Sequence, residues 1–303
     1  MSIGQKVIVT VGAFVITFIT ICTFFKNDIS FILTSRSIER NYGKTLENSY
    51  FIEDNFKYVD NYEGVEVHSK QEIINSIYYL INSGISYSKR YCAKDYEQCY
   101  NDMLSISNDA NALSILNNYV HPFNSFESII FNFDNNVIEI EIKHTYSKNE
   151  VETINKKVDE ITNEVIKNNM AVKEQIKSIH DYIINNTEYD TLKSENIKDT
   201  TYKSNTAYGV LMENFGICSG YSDTMKIFLD KLNIINYKVS NDQHIWNLVY
   251  LNENWYHLDL TWDDPISEIN ITRDNYFLIT AETLEKLNDG LHYFDYYIFT
   301  EAK

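Results

Sequence analysis

Apolar residues recur along this chain with both helical and strand periodicity, and the pattern predicts a mixed α+β protein. A Ser69-x-x-Glu72 sequence, typical of a helix N-terminus, precedes apolar residues at helical spacing and predicts a helix over 69–82. A second such sequence, Ser147-x-x-Glu150, begins a longer helical region. The other predicted elements are short helices over 95–106 and 109–119, a β-hairpin of 128–133 with 137–144, a helix over 172–184, and a polar surface loop over 190–205.

The N-terminal end carries a long uncharged stretch. Between Lys6 and Lys26 lie 19 residues without a charge, most of them apolar. At 1.5 Å per residue, a helix of this length would span about 28 Å, close to the hydrocarbon thickness of a bilayer. No small-residue cleavage site follows, so we expect residues 1–26 to be an uncleaved membrane anchor. More positive charges follow the stretch than precede it, which by itself does not favour export of the C-terminal part.

The composition restricts the class of protein. The chain has 26 Lys and Arg against 43 Asp and Glu, a net charge of −17, which argues against a nucleic-acid partner because phosphate binding needs clustered cations. With 44% hydrophobic residues the chain can bury a sizeable core, and its 9 Gly and 2 Pro exclude collagen-like and proline-rich proteins. The cysteines include no Cys-x-x-Cys pair that would indicate structural zinc, and we expect neither a metal nor a cofactor.

Cys92 and Cys99 could close a short loop. As a disulfide they would stabilise the fold by about 2.5 kcal/mol through loop entropy, and they would indicate an oxidising exterior. Two unrelated free thiols, or a thiol pair that senses redox state, are the alternatives. Together with the anchor, the disulfide interpretation predicts that the part of the chain after the anchor is extracytoplasmic.

Cys218 lies between two glycines at the start of a predicted helix. Gly216 and Gly220 flank it, and apolar residues at helical spacing follow. At a helix N-terminus, the unpaired N–H groups and the positive end of the dipole favour a thiolate over a thiol. Cysteine beside glycine is also common as a small core residue, so this motif alone does not establish a nucleophile.

Two strand-like runs on either side of Asn252-Glu253 predict a second hairpin. If the turn consists of these two residues, His244 and Asp259 are diagonal neighbours on one face, within reach of an imidazole–carboxylate hydrogen bond. A shift of the turn by one residue would reverse the faces, and Glu253 is not the glycine that a tight turn prefers. His257 lies on the same face as Asp259 and is an alternative base.

These residues supply the parts of a Cys-His-Asp unit. Cys218 would be the nucleophile, His244 would take and return the proton, and Asp259 would hold the imidazole tautomer. The alternative is a structural histidine bonded to a carboxylate. Acyl chemistry also needs an oxyanion hole, for which the Cys218 N–H is a natural donor and Tyr208 is one candidate for the second.

Other conspicuous residues are interpreted as structural. We expect the three tryptophans to pack in the hairpin and sheet core, and Asn247 to bond backbone from its strand. Asp263 and Asp264, which precede Pro265, suit a turn in which their side chains bond local N–H groups. No third oxygen ligand accompanies this acidic pair, so we expect no metal there. The tryptophans are Trp246, Trp255 and Trp262.

The segment from Asn205 to Pro265 resembles the core of the transglutaminase-like superfamily, in its bacterial, protease-like branch. The matching motifs are Gly216-Ile217-Cys218-Ser219-Gly220-Tyr221-Ser222, His244-Ile245-Trp246-Asn247 and Trp255-Tyr256-His257-Leu258-Asp259-Leu260-Thr261-Trp262-Asp263-Asp264-Pro265. The run from Ile179 to Asp190 resembles the helix that precedes this core. Ile245 stands where the family often has alanine, and the hairpin turn lacks the usual glycine.

The resemblance implies a papain-like α+β core, with the nucleophile on a helix packed against an antiparallel sheet that carries the histidine and the aspartate. It assigns Cys218, His244 and Asp259 as the catalytic triad and makes His257 a neighbour. We therefore expect three parts in the chain. These are a membrane anchor over 1–26, a small α+β module of unknown role over 27–145, and a transglutaminase-like catalytic domain over 146–303.

The expected function is that of a membrane-anchored thiol enzyme that cleaves or transfers amides. The resemblance favours peptide or protein substrates, at the cell envelope if the anchor faces outward, and does not choose between protease, amidase and transamidase. The alternative is a catalytically silent module that keeps the fold and uses its concave face to hold a partner at the envelope. Intact Cys218, His244 and Asp259 favour the enzyme.

Overall fold

The computed structural model describes residues 7–10, 48–54, 56–264 and 274–303. Over these residues the protein has the mixed α+β composition that the sequence predicts. We number its helices and strands in chain order, leaving short 3₁₀ and π-helical turns unnumbered.

The first part of the chain builds a five-stranded sheet flanked by three helices. The order of its strands is β1-β4-β5-β3-β2, and all neighbours are antiparallel except β2 and β3. The elements are β1 Val7–Thr10, β2 Glu66–Val67, α1 Lys70–Asn82, β3 Tyr87–Cys92, α2 Cys99–Ser107, α3 Ala110–Tyr119, β4 Phe126–Asp134 and β5 Val137–His144. Ser69 caps α1 by accepting from the Glu72 N–H, as its sequence predicts.

The second part carries the longer helices and a three-stranded antiparallel sheet of order β10-β9-β8. The elements are α4 Lys148–Val165, α5 Val172–Asn186, β6 Glu188–Tyr189, α6 Thr191–Glu195, β7 Phe215–Gly216, α7 Cys218–Lys231, β8 Asn236–Ser240, β9 Ile245–Leu251, β10 Asn254–Leu258, α8 Leu260–Asp263 and α9 Ala281–Leu287. The predicted loop over 190–205 was partly wrong, because Asp190 caps the short helix α6. β6 pairs in parallel with β7 and brings the end of α5 beside the start of α7.

The β9–β10 hairpin has the predicted register. Leu251 pairs with Asn254, and Leu258 pairs with Asn247. Both turn residues, Asn252 and Glu253, have positive φ angles, 50° and 64°. A tight turn of this kind matches the twist of the two strands, and here it forms without glycine. The face assignment of the strands is therefore as the sequence predicts.

Two apolar clusters form the core, and one of them joins the two parts of the chain. It contains residues of the first sheet together with β8, β9 and the C-terminal segment. Tyr119 of α3 stacks on Tyr237 of β8 with ring centroids 5.0 Å apart. The other cluster lies among α4, α5, α7 and β9. Trp246 is fully buried in the first cluster, and Trp255 and Trp262 pack against it half-buried, which confirms that the tryptophans belong to the core.

Cys92 and Cys99 form a disulfide, with 5.9 Å between their Cα atoms. Of the alternatives that the sequence left open, the structure thus has the disulfide and not two free thiols. Among the described residues Cys218 is the free cysteine.

The expected membrane helix is not found where the structure can be compared with it. Val7–Thr10 is a strand that pairs antiparallel with β4, which suits its two valines, isoleucine and threonine, all β-branched residues. The rest of the predicted anchor lies outside the described residues. Of the helices that the structure describes, none combines the length and the apolar character needed to cross a bilayer.

Candidate active site

Cys218 is the first residue of α7. Ile217 before it is extended, and its N–H donates to the Ser204 carbonyl at 2.9 Å. Cys218 therefore lies at a helix N-terminus, where its backbone N–H has no acceptor within the helix. Gly220 permits this close approach, because a Cβ at that position would come within 2.2 Å of the Ser204 carbonyl oxygen. Cys218 is 6% exposed.

Two polar contacts fix α7 against the sheet. Asn247 on β9 donates its side-chain amide to the Ser222 carbonyl at 2.9 Å, the backbone-bonding role that its position predicts. Lys238 on β8 forms a buried ion pair with Asp223, which also accepts from the Tyr146 hydroxyl at 2.9 Å. These bonds set the distance between the start of α7 and the hairpin.

His244 and Asp259 lie just outside the hairpin ladder and meet there. His244 precedes β9, and Asp259 follows β10 and caps α8. His244 Nε2 is hydrogen-bonded to Asp259 Oδ2, and Cys218 lies close enough to His244 to contribute to the raised pKa of the imidazole. Since Nε2 is on Asp259, Nδ1 is the ring nitrogen left for the thiol. Asp259 Oδ1 accepts from the Thr261 N–H at 2.8 Å and the Trp262 N–H at 3.3 Å.

The electrostatics of this group favour a charged imidazole. Burial by itself lowers the pKa of His244, but the charge and hydrogen bond of Asp259, together with Cys218, raise the pKa to about 10. Burial by itself raises the pKa of Asp259, but His244 and His292 hold that pKa well below its ordinary value. Asp259 is thus ionised, and it favours the protonated form of His244.

His257, the alternative base, is occupied elsewhere. Its Nδ1 accepts from the Trp246 indole N–H at 2.9 Å, and its Nε2 donates to the Ala302 carbonyl at 3.0 Å. Burial lowers the pKa of His257 to about 4. With both ring nitrogens used and the ring neutral, His257 is not placed to exchange a proton with Cys218.

The site includes residues that the sequence did not indicate. His292, from the C-terminal segment, bonds Asp259 Oδ2 through Nε2 at 2.8 Å. Burial, together with an electrostatic contribution from Cys218, raises the pKa of Tyr189 of β6 to about 12. The ring of Tyr208, the expected candidate for an oxyanion donor, lies under the Lys203 ammonium, 5.2 Å from it.

The acidic pair at the end of α8 bonds partners that are distant in the sequence. Asp263 Oδ2 is bonded to His180 Nε2 at 3.1 Å, and its Oδ1 accepts from the Tyr276 N–H at 2.9 Å. Asp264 accepts from the Tyr221 hydroxyl at 2.7 Å. The expectation of local bonding was therefore wrong for Asp263, because both of its oxygens bond partners that are distant in the sequence. Pro265 lies outside the described residues.

Three groups of the site could also act as metal ligands. Donor atoms of His244, Asp259 and His292 lie within 4.8 Å of one another. In this arrangement both histidines face the same carboxylate oxygen at hydrogen-bond distance, which is the geometry of a proton network rather than of ligands arranged around an ion.

One comparison with known protein families agrees with the motifs. Residues 159–260 match the sequence pattern of the transglutaminase-like superfamily. Among solved structures, the chain is similar to the crystal structure of a TGase, with 15% identity and a TM-score of 0.36, over 48% of this chain and 47% of that one. It is also similar to a "putative cysteine protease" from Cytophaga hutchinsonii, with 14% identity and a TM-score of 0.28, over 46% of this chain and 58% of that one.

These matches therefore span about half the length of the solved proteins. No match was found among curated protein sequences. The sequence match at 159–260 includes all three positions of the predicted triad. Residues 159–260 thus carry a transglutaminase-like core, as the three motifs predicted.

Proposed function

We propose that this protein is a thiol-dependent acyl-transfer enzyme that acts on peptide or protein amide bonds through Cys218, His244 and Asp259. The observation that carries the proposal is one connected contact set. Cys218 begins helix α7, and His244 is hydrogen-bonded to the ionised Asp259 and interacts with Cys218, which helps to raise the pKa of His244. A structural histidine does not need a thiol beside it, whereas a nucleophilic thiol needs an adjacent base to activate it.

In the proposed reaction, the Cys218 thiolate attacks the amide carbonyl carbon, and the carbonyl π electrons move onto oxygen. The Cys218 N–H, which has no acceptor within its helix, would donate to that oxyanion. Collapse expels the amine, which takes the proton from His244 Nδ1, and leaves a thioester on Cys218. Water or a second amine, deprotonated by the now neutral His244, attacks the thioester carbon and expels the Cys218 thiolate, which restores the starting thiolate and protonated imidazole. Asp259 keeps the imidazole oriented and stabilises its charged form.

The proposal extends to where the protein works. The disulfide Cys92–Cys99 is typical of proteins in oxidising compartments, and it supports an extracytoplasmic site of action. The disulfide is consistent with peptide or protein substrates at the cell envelope. The outcome, hydrolysis or amine transfer, depends on whether water is excluded from the thioester.

The test is the pH dependence of Cys218 alkylation by iodoacetamide in the full chain, followed by mass spectrometry. An ordinary thiol titrates near pH 8.5, so an activated thiolate should label rapidly below about pH 7. His244→Ala should abolish that labelling. His121→Ala is the matched control, because His121 is also a buried histidine but accepts from the Phe123 N–H, away from Cys218.

If Cys218 labels slowly and independently of His244, the cysteine is structural. The silent binding module would then be the better interpretation. If labelling is rapid below about pH 7 and His244→Ala removes it, screening of peptide amides with and without an added amine distinguishes hydrolysis from transfer.

A further inference from the structure

We infer that His292 is a positioning residue of this site, which holds the Asp259 carboxylate so that Asp259 in turn fixes the orientation of His244. The role in catalysis rests on the proposed function, but the positioning itself is a property of the folded protein. His292 does not contact the thiol in this arrangement. It acts through Asp259.

The first argument is the set of bonds around Asp259. Oδ2 is shared by His244 and His292, the latter at 2.8 Å, while Oδ1 accepts from the Thr261 and Trp262 N–H groups. The carboxylate is therefore held from both oxygens. Without His292, Oδ2 would keep only the bond to His244, which is the ring that Asp259 has to orient.

The second argument is that His292 is itself held by a second carboxylate. Its Nδ1 lies 2.8 Å from Asp289 Oδ2. Asp289 accepts from the Leu291 N–H at 2.9 Å, the His292 N–H at 3.1 Å and the Tyr276 hydroxyl at 3.0 Å. Burial by itself raises the pKa of Asp289, but these backbone bonds and the charge of His292 lower it. Both ring nitrogens of His292 thus face carboxylates, and the ring is held from both sides.

The third argument is steric. The His292 side chain is 2% exposed. Its ring stacks on Tyr276 with centroids 4.8 Å apart and planes 20° apart, and it meets the edges or faces of Trp246 and Trp262 at 4.9 and 5.1 Å. A ring enclosed in this way and bonded at both nitrogens has one orientation available, so it can serve as a fixed reference for Asp259.

The experiment compares His292→Gln with His292→Leu in the full chain. The glutamine amide can still donate to Asp259, whereas leucine fills a similar space without a donor. His121→Gln is the control for loss of a buried histidine elsewhere, and circular dichroism checks that each variant is folded. Two readouts are used: the downfield proton resonance of His244 Nε2–H, and the rate of Cys218 alkylation by iodoacetamide below about pH 7.

We expect His292→Leu to broaden or remove the His244 Nε2–H resonance and to slow alkylation about tenfold or more, the scale of loss when a supporting residue is removed. His292→Gln should keep the resonance and restore most of the rate. The inference is overturned if His292→Leu keeps the wild-type resonance and the wild-type alkylation rate. It is also overturned if His292→Gln and His292→Leu lose the resonance and the rate to the same extent. If wild-type Cys218 is unreactive below about pH 7, the proposed function fails, while the resonance still decides the role of His292.

Discussion

Replacing Asp259 by asparagine perturbs the site in a way that the structure defines closely. The carboxylate uses both oxygens, with Oδ2 bonded to His244 and His292 and Oδ1 accepting from the backbone at the start of α8. An asparagine offers one acceptor oxygen, so it cannot keep both sets of bonds. Asp259→Asn therefore removes the charge that His244 faces and also breaks either the helix cap or the histidine contacts.

The size of the effect follows from the pKa of His244, which Asp259 and Cys218 raise from 6.5 to about 10 against the lowering effect of burial. A fall from about 10 to 6.5 corresponds to about 5 kcal/mol, at about 1.36 kcal/mol for each pH unit, shared between the two partners. In a Cys218→Ala background, the part of the His244 pKa elevation that remains is the contribution of Asp259. Adding Asp259→Asn should then bring the pKa of His244 below 6.5, because burial still lowers the pKa and the carboxylate charge that raised it is absent.

The same change alters stability against pH. Because the folded pKa of His244 is above 6.5, the stabilisation from its protonated form is complete below pH 6.5 and is lost as pH rises through about 10. Asp259→Asn should flatten this alkaline loss. NMR titration of the His244 ring and urea unfolding across this pH range measure the two effects. An unchanged His244 titration midpoint in Cys218→Ala, with and without Asp259→Asn, would refute this account of the site.

Three further changes test other parts of the fold by urea unfolding. Burial holds the pKa of His257 at about 4, so acidification from pH 6.5 to 4 should cost the wild type about 3 kcal/mol of unfolding free energy, and His257→Gln should remove this loss. Lys238→Met leaves the Asp223 charge buried without its cation and should cost about 3–5 kcal/mol, most of it recovered by adding Asp223→Asn. Glu253→Gly should stabilise by about 0.5–1 kcal/mol, because residue 253 has a φ of 64°. The His257 argument fails if His257→Gln leaves the acid sensitivity unchanged. The ion-pair argument fails if adding Asp223→Asn recovers no stability, and the turn argument fails if Glu253→Gly lowers stability.

The elements that the sequence predicts well are those with local signals. The capping sequences at Ser69 and Ser147 mark the starts of α1 and α4, and the alternation on either side of Asn252-Glu253 gives the register of the hairpin. Each of these signals lies within a few residues of the structure that it determines. The contact between His244 and Asp259 could be predicted because it follows from that register.

The rest of the site depends on contacts that no local pattern encodes. His292 is 33 residues from Asp259 and comes from a segment without regular secondary structure, so neither periodicity nor spacing relates the two. The same holds for Asp263, which bonds His180 across 83 residues. A local interpretation of Asp263 was wrong because side-chain partners supplied by tertiary packing replaced the neighbouring N–H groups.

The surroundings of His292 bear on the choice between an enzyme and a silent module. Two histidines and the Asp259 carboxylate are buried beside Trp246 and Trp262, and the half-buried Asp289 lies next to them. Apolar side chains would pack there without the cost of removing charges from water. Stability alone gives little reason to keep such a network, since replacing a buried charged group by apolar residues is often neutral or stabilising. A network that begins at a thiol on a helix N-terminus has a chemical reason, because it holds an imidazole charged and oriented beside a nucleophile. A variant in which His292 and Asp289 are both replaced by apolar residues should therefore keep or gain stability while Cys218 reactivity falls, and equal loss of both would favour a structural role.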